Sequence, residues 1–203
     1  MDRKAHWEDI YLKKAPTEVS WFQAVPATSL KLIASTNLGK EGKIIDIGGG
    51  DSVLVDHLLA DGFQHVTVLD ISAAALERAK ERLGARAARV TWIEADVTDV
   101  TLPGSFDLWH DRAVFHFLTD TEDRKRYIRT ASGALHAGAH LIIATFALTG
   151  PPRCSGLEVA RYGPETLQRE LGDGFDVVET FEETHATPWQ AEQRFLYARL
   201  KKR

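Results

Sequence analysis

The sequence predicts an α/β fold, a doubly wound and mostly parallel seven-stranded sheet with helices on both faces. Three observations carry this expectation. Short β-branched runs alternate with amphipathic stretches through most of the 203 residues. The first of these runs ends in a glycine turn that opens a helix. Near the C-terminus two strand-like runs lie too close together for a crossover helix, so they are expected to pair antiparallel.

Taken in order, residues 1–25 are rich in aromatics, with Trp7, Tyr11, Trp21 and Phe22 among charged neighbours and no sustained period. That is more apolar surface than a disordered tail carries. Pro26 suits the first turn of a helix whose apolar face is read as Leu30, Ile33, Ala34 and Leu38, ending at Gly39. Ile44, Ile45 and Ile47 form the first strand, covered on both faces. Gly48, Gly49 and Gly50 follow, and Val53, Leu54, Leu58 and Leu59 recur at helical spacing until Gly62. Backbone without Cβ atoms there turns sharply and is expected to let a ligand approach its N–H groups.

His65 to Asp70 is the second strand, and Asp70-Ile71 lies at the distance from the glycines that suits a carboxylate on ribose hydroxyls. Ser72 is a candidate N-cap, with Leu76, Ala79 and Leu83 as the buried stripe before Gly84. Arg89 to Glu94 is read as the third strand and Phe106 to His110 as the fourth. Thr119-Asp120-Thr121-Glu122 fits a capping box, and Tyr127, Ile128, Ala131 and Leu135 form the next buried face, closing at Gly138. His140 to Phe146 is the fifth strand, followed by a Gly/Pro loop that carries Cys154, more readily a packed thiol than a nucleophile. Leu167 and Leu171 mark a short helix. Phe175 to Phe181 and Gln193 to Leu200 make the closing hairpin.

Composition narrows the classes. A 44 % hydrophobic content suits one globular domain, and a net charge of -4 argues against a broad grip on nucleic acid. One cysteine excludes an internal disulfide, no apolar run reaches the ~18 residues of a membrane span, and the start Met1-Asp2-Arg3-Lys4 lacks a signal-peptide core. A cytoplasmic location is the expectation. His110 and His116 match no zinc-ligand spacing, and no metal is expected.

The charges at the turn select the cofactor. A dinucleotide site wants G-x-G-x-x-G, and Val53 stands at the third glycine. A pyrophosphate would also meet Asp46 and Asp51 with no cation inside the loop. S-adenosylmethionine, with a sulfonium and an ammonium, would be attracted by the same acids.

The stretch Asp46-Ile47-Gly48-Gly49-Gly50-Asp51-Ser52 resembles motif I of the class I S-adenosylmethionine-dependent methyltransferases, with Asp46, Gly48, Gly50 and Ser52 at the matching positions. The resemblance spans the chain. It implies the strand order 3-2-1-4-5-7-6 with only the last strand antiparallel, a Rossmann-like core over 43–203 and an N-terminal lid and helix over 1–39, all in the single domain 1–203. It further implies Gly48, Gly49 and Gly50 at the amino-acid end of the cofactor, Asp70 and Ile71 at the ribose, Asp96 and Val97 at the adenine, Tyr11 and Trp21 as the lid, and Asp46 and His110 as further cofactor-binding residues. Asp111-Arg112 resembles the start of the D-K-G-x-x-D stretch of elongation-factor lysine methyltransferases, with Ala113 and His116 where the glycine and second acid would stand.

Function follows as an S-adenosylmethionine-dependent methyltransferase acting on a small molecule, the alternatives being a protein (lysine) methyltransferase or a non-catalytic S-adenosylmethionine-binding module. Asp111 to His116 are expected to face the methyl group, because ligands bind where the strand order reverses. His116 or His110 could then take the acceptor's proton, with Asp111 beside them. The competing reading makes both histidines structural.

Overall fold

The computed structural model describes residues 2–203. Its central strand is β1 (Lys43–Ile47), buried from Ile44 onward. On one side β1 pairs in parallel with β2 (His65–Asp70), which pairs with β3 (Val90–Glu94). On the other side it pairs in parallel with β4 (Phe106–Arg112), which pairs with β5 (Leu135–Phe146). Counting main-sheet strands only, β6 (Phe175–Ala186) and β7 (Glu192–Lys202) complete the order β3-β2-β1-β4-β5-β7-β6, with β7 antiparallel to both neighbours. The expected topology is therefore present.

Side chains alternate between the two faces because successive Cβ atoms of a strand point opposite ways. Ile45, Ile47, Trp109, Leu141 and Ile143 pack on one face with α5 (Thr121–Ala134) and α6 (Pro164–Leu171). Ile44, Leu108, Ile142 and Phe146 pack on the other with α2 (Ala27–Ser35), α3 (Leu54–Ala60) and α4 (Ala73–Leu83). The helices change face where the chain steps from β3 to β4. That step leaves a crevice at the C-terminal ends of β1 and β4.

Several boundaries differ from the sequence reading for local reasons. The N-terminal segment holds a helix, α1 (Arg3–Lys13), capped by the Asp2 carboxylate accepting from the Ala5 N–H at 3.1 Å. Trp7, Ile10 and Tyr11 recur at helical spacing, which the surrounding charges mask. In α2 the inward residues are Ser29, Leu32 and Ile33, and the helix stops before Asn37, whose φ is 56°. At α5 the cap is Asp120, accepting from the Glu122 and Asp123 N–H groups, in place of Thr119. The helix ends at Ala134, and Gly138, with φ 85°, lies inside β5 where its register shifts. Among the described residues no helix is long and apolar enough to cross a membrane.

Candidate functional site

The glycine turn shapes the crevice from below. The Gly48 and Gly49 N–H groups donate to the Leu69 carbonyl, at 2.7 and 3.3 Å, so they tie the turn to β2 and are spent. What the turn offers a ligand is close approach. Gly50, with φ 43°, has Asp70 Oδ2 and the Tyr11 hydroxyl each 2.8 Å from where a Cβ would sit, so any side chain would fill the space between them.

Asp46 and His110 are register partners on β1 and β4, which puts their side chains at one level on one face. The carboxylate can only accept, so the His110 Nδ1–H donates to Asp46 Oδ1 at 2.7 Å, while Nε2 is hydrogen-bonded to the Ser29 hydroxyl at 2.8 Å. All three side chains are almost completely buried. This row joins α2 to the sheet beside the turn.

The next residue, Asp111, must point through the sheet to the opposite face. There its carboxylate accepts from the Tyr127 hydroxyl at 2.5 Å and from the Val114 and Phe115 N–H groups at 2.9 and 3.1 Å. Burial raises it to about 6 against those donors. Arg112 alternates back into the crevice, while His116 sits on a short 3-10 turn (Phe115–Phe117) with its ring against Phe117, Phe146 and Phe195. Its Nδ1 accepts from the Phe146 N–H at 3.2 Å, and burial, with the nearby Arg112 charge, lowers it to about 3.

The expectation that Asp111 to His116 face the reacting group is therefore corrected. Arg112, Ala113 and Val114 line the crevice, whereas Asp111 and His116 are fully buried away from it. Alternation in β4 sends Asp111 to the α5 side, and the aromatic cluster withdraws His116.

The remaining candidates lie around two adjoining pockets that open to solvent. Tyr11, Trp21, Ile47, Gly48 and Arg112 border both. Asp70, Ile71, Asp96 and Val97 border the first, whereas Asp46, Gly49 and His110 border the second. Asp70 accepts from the Ser72 N–H at 2.9 Å, and burial pushes its carboxyl up to about 7. Asp96 is already engaged, by Arg3 at 3.1 Å and by the Thr98 N–H and hydroxyl. Hence one expected adenine contact has competing partners.

The N-terminal segment is fastened over these strand ends. Glu8 accepts from the Ser72 hydroxyl at 2.7 Å and from the Ala74 N–H at 3.1 Å, which places its charge at the start of α4. Trp7, Trp21 and Phe117 meet edge to face, with Trp7 5.8 Å from Trp21 and 4.9 Å from Phe117. The residue missing from the sequence reading of the site is Ser29, whereas Arg112, within the expected stretch Asp111 to His116, does border the crevice. The i, i+3, i+4 spacing of Trp7, Ile10 and Tyr11 was a usable signal for the first helix; Ser29 carried none.

Two buried acids, a surround of aromatics and a turn that only glycine fits suit an adenosyl sulfonium ligand and give no cradle for phosphate. Residues 45–141 match the family model described as a methyltransferase domain. Over 122 residues the chain is 27 % identical to the mouse eEF1A lysine and N-terminal methyltransferase, covering 58 % of this chain and 17 % of that one. Over 78 residues it is 37 % identical to the malonyl-[acyl-carrier protein] O-methyltransferase of Anoxybacillus flavithermus, covering 37 % of this chain and 29 % of that one. The N-methyltransferase NodS of Bradyrhizobium japonicum, solved with S-adenosylhomocysteine, superposes over 99 % of both chains with a TM-score of 0.74 at 20 % identity. Residues 45–141 thus match a methyltransferase domain, and the chain as a whole has the fold of the S-adenosylmethionine-dependent methyltransferases.

Proposed function

We propose that the protein transfers a methyl group from S-adenosylmethionine to a small molecule held in the crevice. The observation that carries this is the crevice's cover: α1 and Trp21 close over the strand ends and leave a concave, mostly apolar pocket with a few polar groups, as small-molecule sites have. In this reading the cofactor's amino-acid end lies by Asp46 and the glycine turn, its ribose by Asp70 and Ile71, and its adenine by Val97 and Asp96. Tyr11 and Trp21 cover it. The protein's contribution to rate is alignment of the acceptor behind the methyl carbon.

A protein acceptor is the second reading, favoured by the mouse relative's name and by Asp111-Arg112. Against it stands the Asp111 carboxylate, which has Tyr127 and two backbone donors as partners and cannot meet a lysine ammonium without leaving them. A panel of small thiols, phenols, carboxylates and amines, scored beside a lysine-containing peptide library by S-adenosylhomocysteine release, tests the choice. Release only with peptides overturns the small-molecule reading. Cofactor binding with no release from either set supports a non-catalytic module.

A further inference from the structure

Resting on the methyltransferase reading, the inference concerns which acceptor the crevice takes. Arg112 borders both cavities at the end of β4, yet every partner it has is neutral. Its Nε–H donates to the Tyr197 hydroxyl and its Nη1–H to the Trp21 carbonyl, both at 3.0 Å, and the guanidinium carbon lies 4.6 Å from the centre of the Phe195 ring. Nη2 is buried and has no partner. No carboxylate among the described residues forms an ion pair with it. The acids of the neighbourhood are committed elsewhere: Asp46 to His110, Asp51 to Arg82, Asp96 to Arg3, and Glu183 to the Thr28 hydroxyl. A guanidinium withdrawn from water without a counter-charge is costly, and an incoming anion relieves that cost.

The same crevice lacks an available base. His110 has both ring nitrogens occupied, His116 is sealed in the core, and Asp70 serves the ribose in the proposed cofactor pose. Cys154 and Tyr11 are held in their protonated forms by burial. An acceptor that had to lose a proton during attack would find nothing to take it.

We propose that Arg112 binds the methyl acceptor as an anion, the protein being a methyltransferase of the ionised sulfur or oxygen of small, largely apolar thiols and phenols. The acceptor's proton leaves to solvent before or on binding. In the transfer the anion's lone pair forms the new bond to the methyl carbon while the carbon–sulfur bond breaks, and the electron pair stays on sulfur as a neutral thioether. One positive and one negative charge disappear, and no proton moves. Trp7, Trp21, Val114, Phe117 and Leu118 supply the apolar walls.

The test uses the full chain and two variants, Arg112→Met, which keeps length and loses charge, and Arg112→Lys, which keeps charge. With S-adenosylhomocysteine bound, the visible absorbance of 4-nitrophenolate is followed from acid to neutral pH. The expected result is a phenol titrating about one unit lower on the wild-type protein than in buffer, a shift lost in Arg112→Met and partly kept in Arg112→Lys. Benzenethiol and 4-nitrophenol should give S-adenosylhomocysteine from S-adenosylmethionine where benzylamine does not, and Arg112→Met should raise acceptor KM at least about tenfold with the dissociation constant of S-adenosylhomocysteine unchanged. A tenfold loss of S-adenosylhomocysteine affinity in Arg112→Met, with no phenol shift in the wild type, would assign the guanidinium to the cofactor's carboxylate and overturn the proposal. So would turnover of benzylamine alone. If the phenolate shift appears but no acceptor is methylated, the anion site stands and the methyltransferase reading fails.

Discussion

On one side of the glycine turn the crevice is walled by carboxylates at strand ends, Asp46 and Asp70; on the other it is walled by aromatics and by a guanidinium that no carboxylate balances. The acidic side was readable residue by residue, because strand, turn and acid follow one another in sequence. The aromatic side is assembled from α1, the end of β4, the loop after β5 and Tyr197 of β7. A cation-seeking wall thus faces an anion-seeking one, an arrangement suited to bringing a sulfonium and a negatively charged nucleophile together. The difference between the walls can be broken or sharpened at four places.

The largest expected effect is at His110. Replacing it by Ala strands the Asp46 carboxylate and the Ser29 hydroxyl in the interior, which should cost about 3 kcal/mol of stability, read as a shift in the denaturant midpoint. A midpoint unchanged within error would mean that water replaces the imidazole and that the row does not hold α2 to the sheet.

At Asp70 the effect falls on the cofactor and depends on pH. Asp70→Ala should weaken S-adenosylhomocysteine binding by roughly 1–3 kcal/mol in calorimetry, since the ribose hydroxyls lose their acceptor. The carboxyl is pushed up to about 7 from 3.8, so the folded state keeps a proton that the unfolded chain releases. The free protein is then expected to lose stability as pH rises from about 4 to 7 and to level off above, with Asp111, raised to about 6, acting in the same direction. Ligand affinity should run the opposite way. Hydroxyl donors need the ionised carboxylate, so binding should weaken by up to tenfold for each pH unit below about 7 and show little such dependence in Asp70→Asn. A wild-type affinity that is flat from pH 5 to 8 would remove Asp70 from the ribose.

The cover comes next. Trp21→Ala should cost the sulfonium cofactor about 0.5–2 kcal/mol of affinity if the ring lies over the positive charge, and S-adenosylhomocysteine, which is neutral at sulfur, noticeably less. Equal losses for both ligands would reduce Trp21 to packing.

The smallest effect on activity is expected at His116. With Nε2 unpartnered and three phenylalanines around the ring, His116→Phe should leave turnover unchanged from about pH 6 to 9, its only cost being about 1–3 kcal/mol of stability because the buried Phe146 N–H loses Nδ1 as its acceptor. Loss of the alkaline or acid limb of the rate profile in that variant would restore a role for His116 as a base.

The reach of the sequence reading follows the range of the interactions involved. Strand β2, the Ser72 cap, the Leu76, Ala79 and Leu83 stripe and the antiparallel hairpin are local features, and the structure has them where the residues place them. Helix α1 was missed although Trp7, Ile10 and Tyr11 carry its spacing. The face of α2 was misread by one position, because a buried Ser29 looks polar until His110 stands opposite it.

Alone, the sequence determined the alternating α/β sheet, the glycine turn with its acids and the cofactor class, since each depends on residues a few positions apart. Tertiary structure decided the rest. Only pairing β1 beside β4 turns Asp46 and His110 into a hydrogen-bonded pair, and only the pleat of β4 separates Asp111, turned to the α5 side, from Arg112, turned into the crevice. Only the packing of Phe146 and Phe195, which come from distant strands, takes His116 out of contact with any ligand. Which face a side chain lands on is set by register with a neighbouring strand, and register is a property of two segments that neither carries by itself.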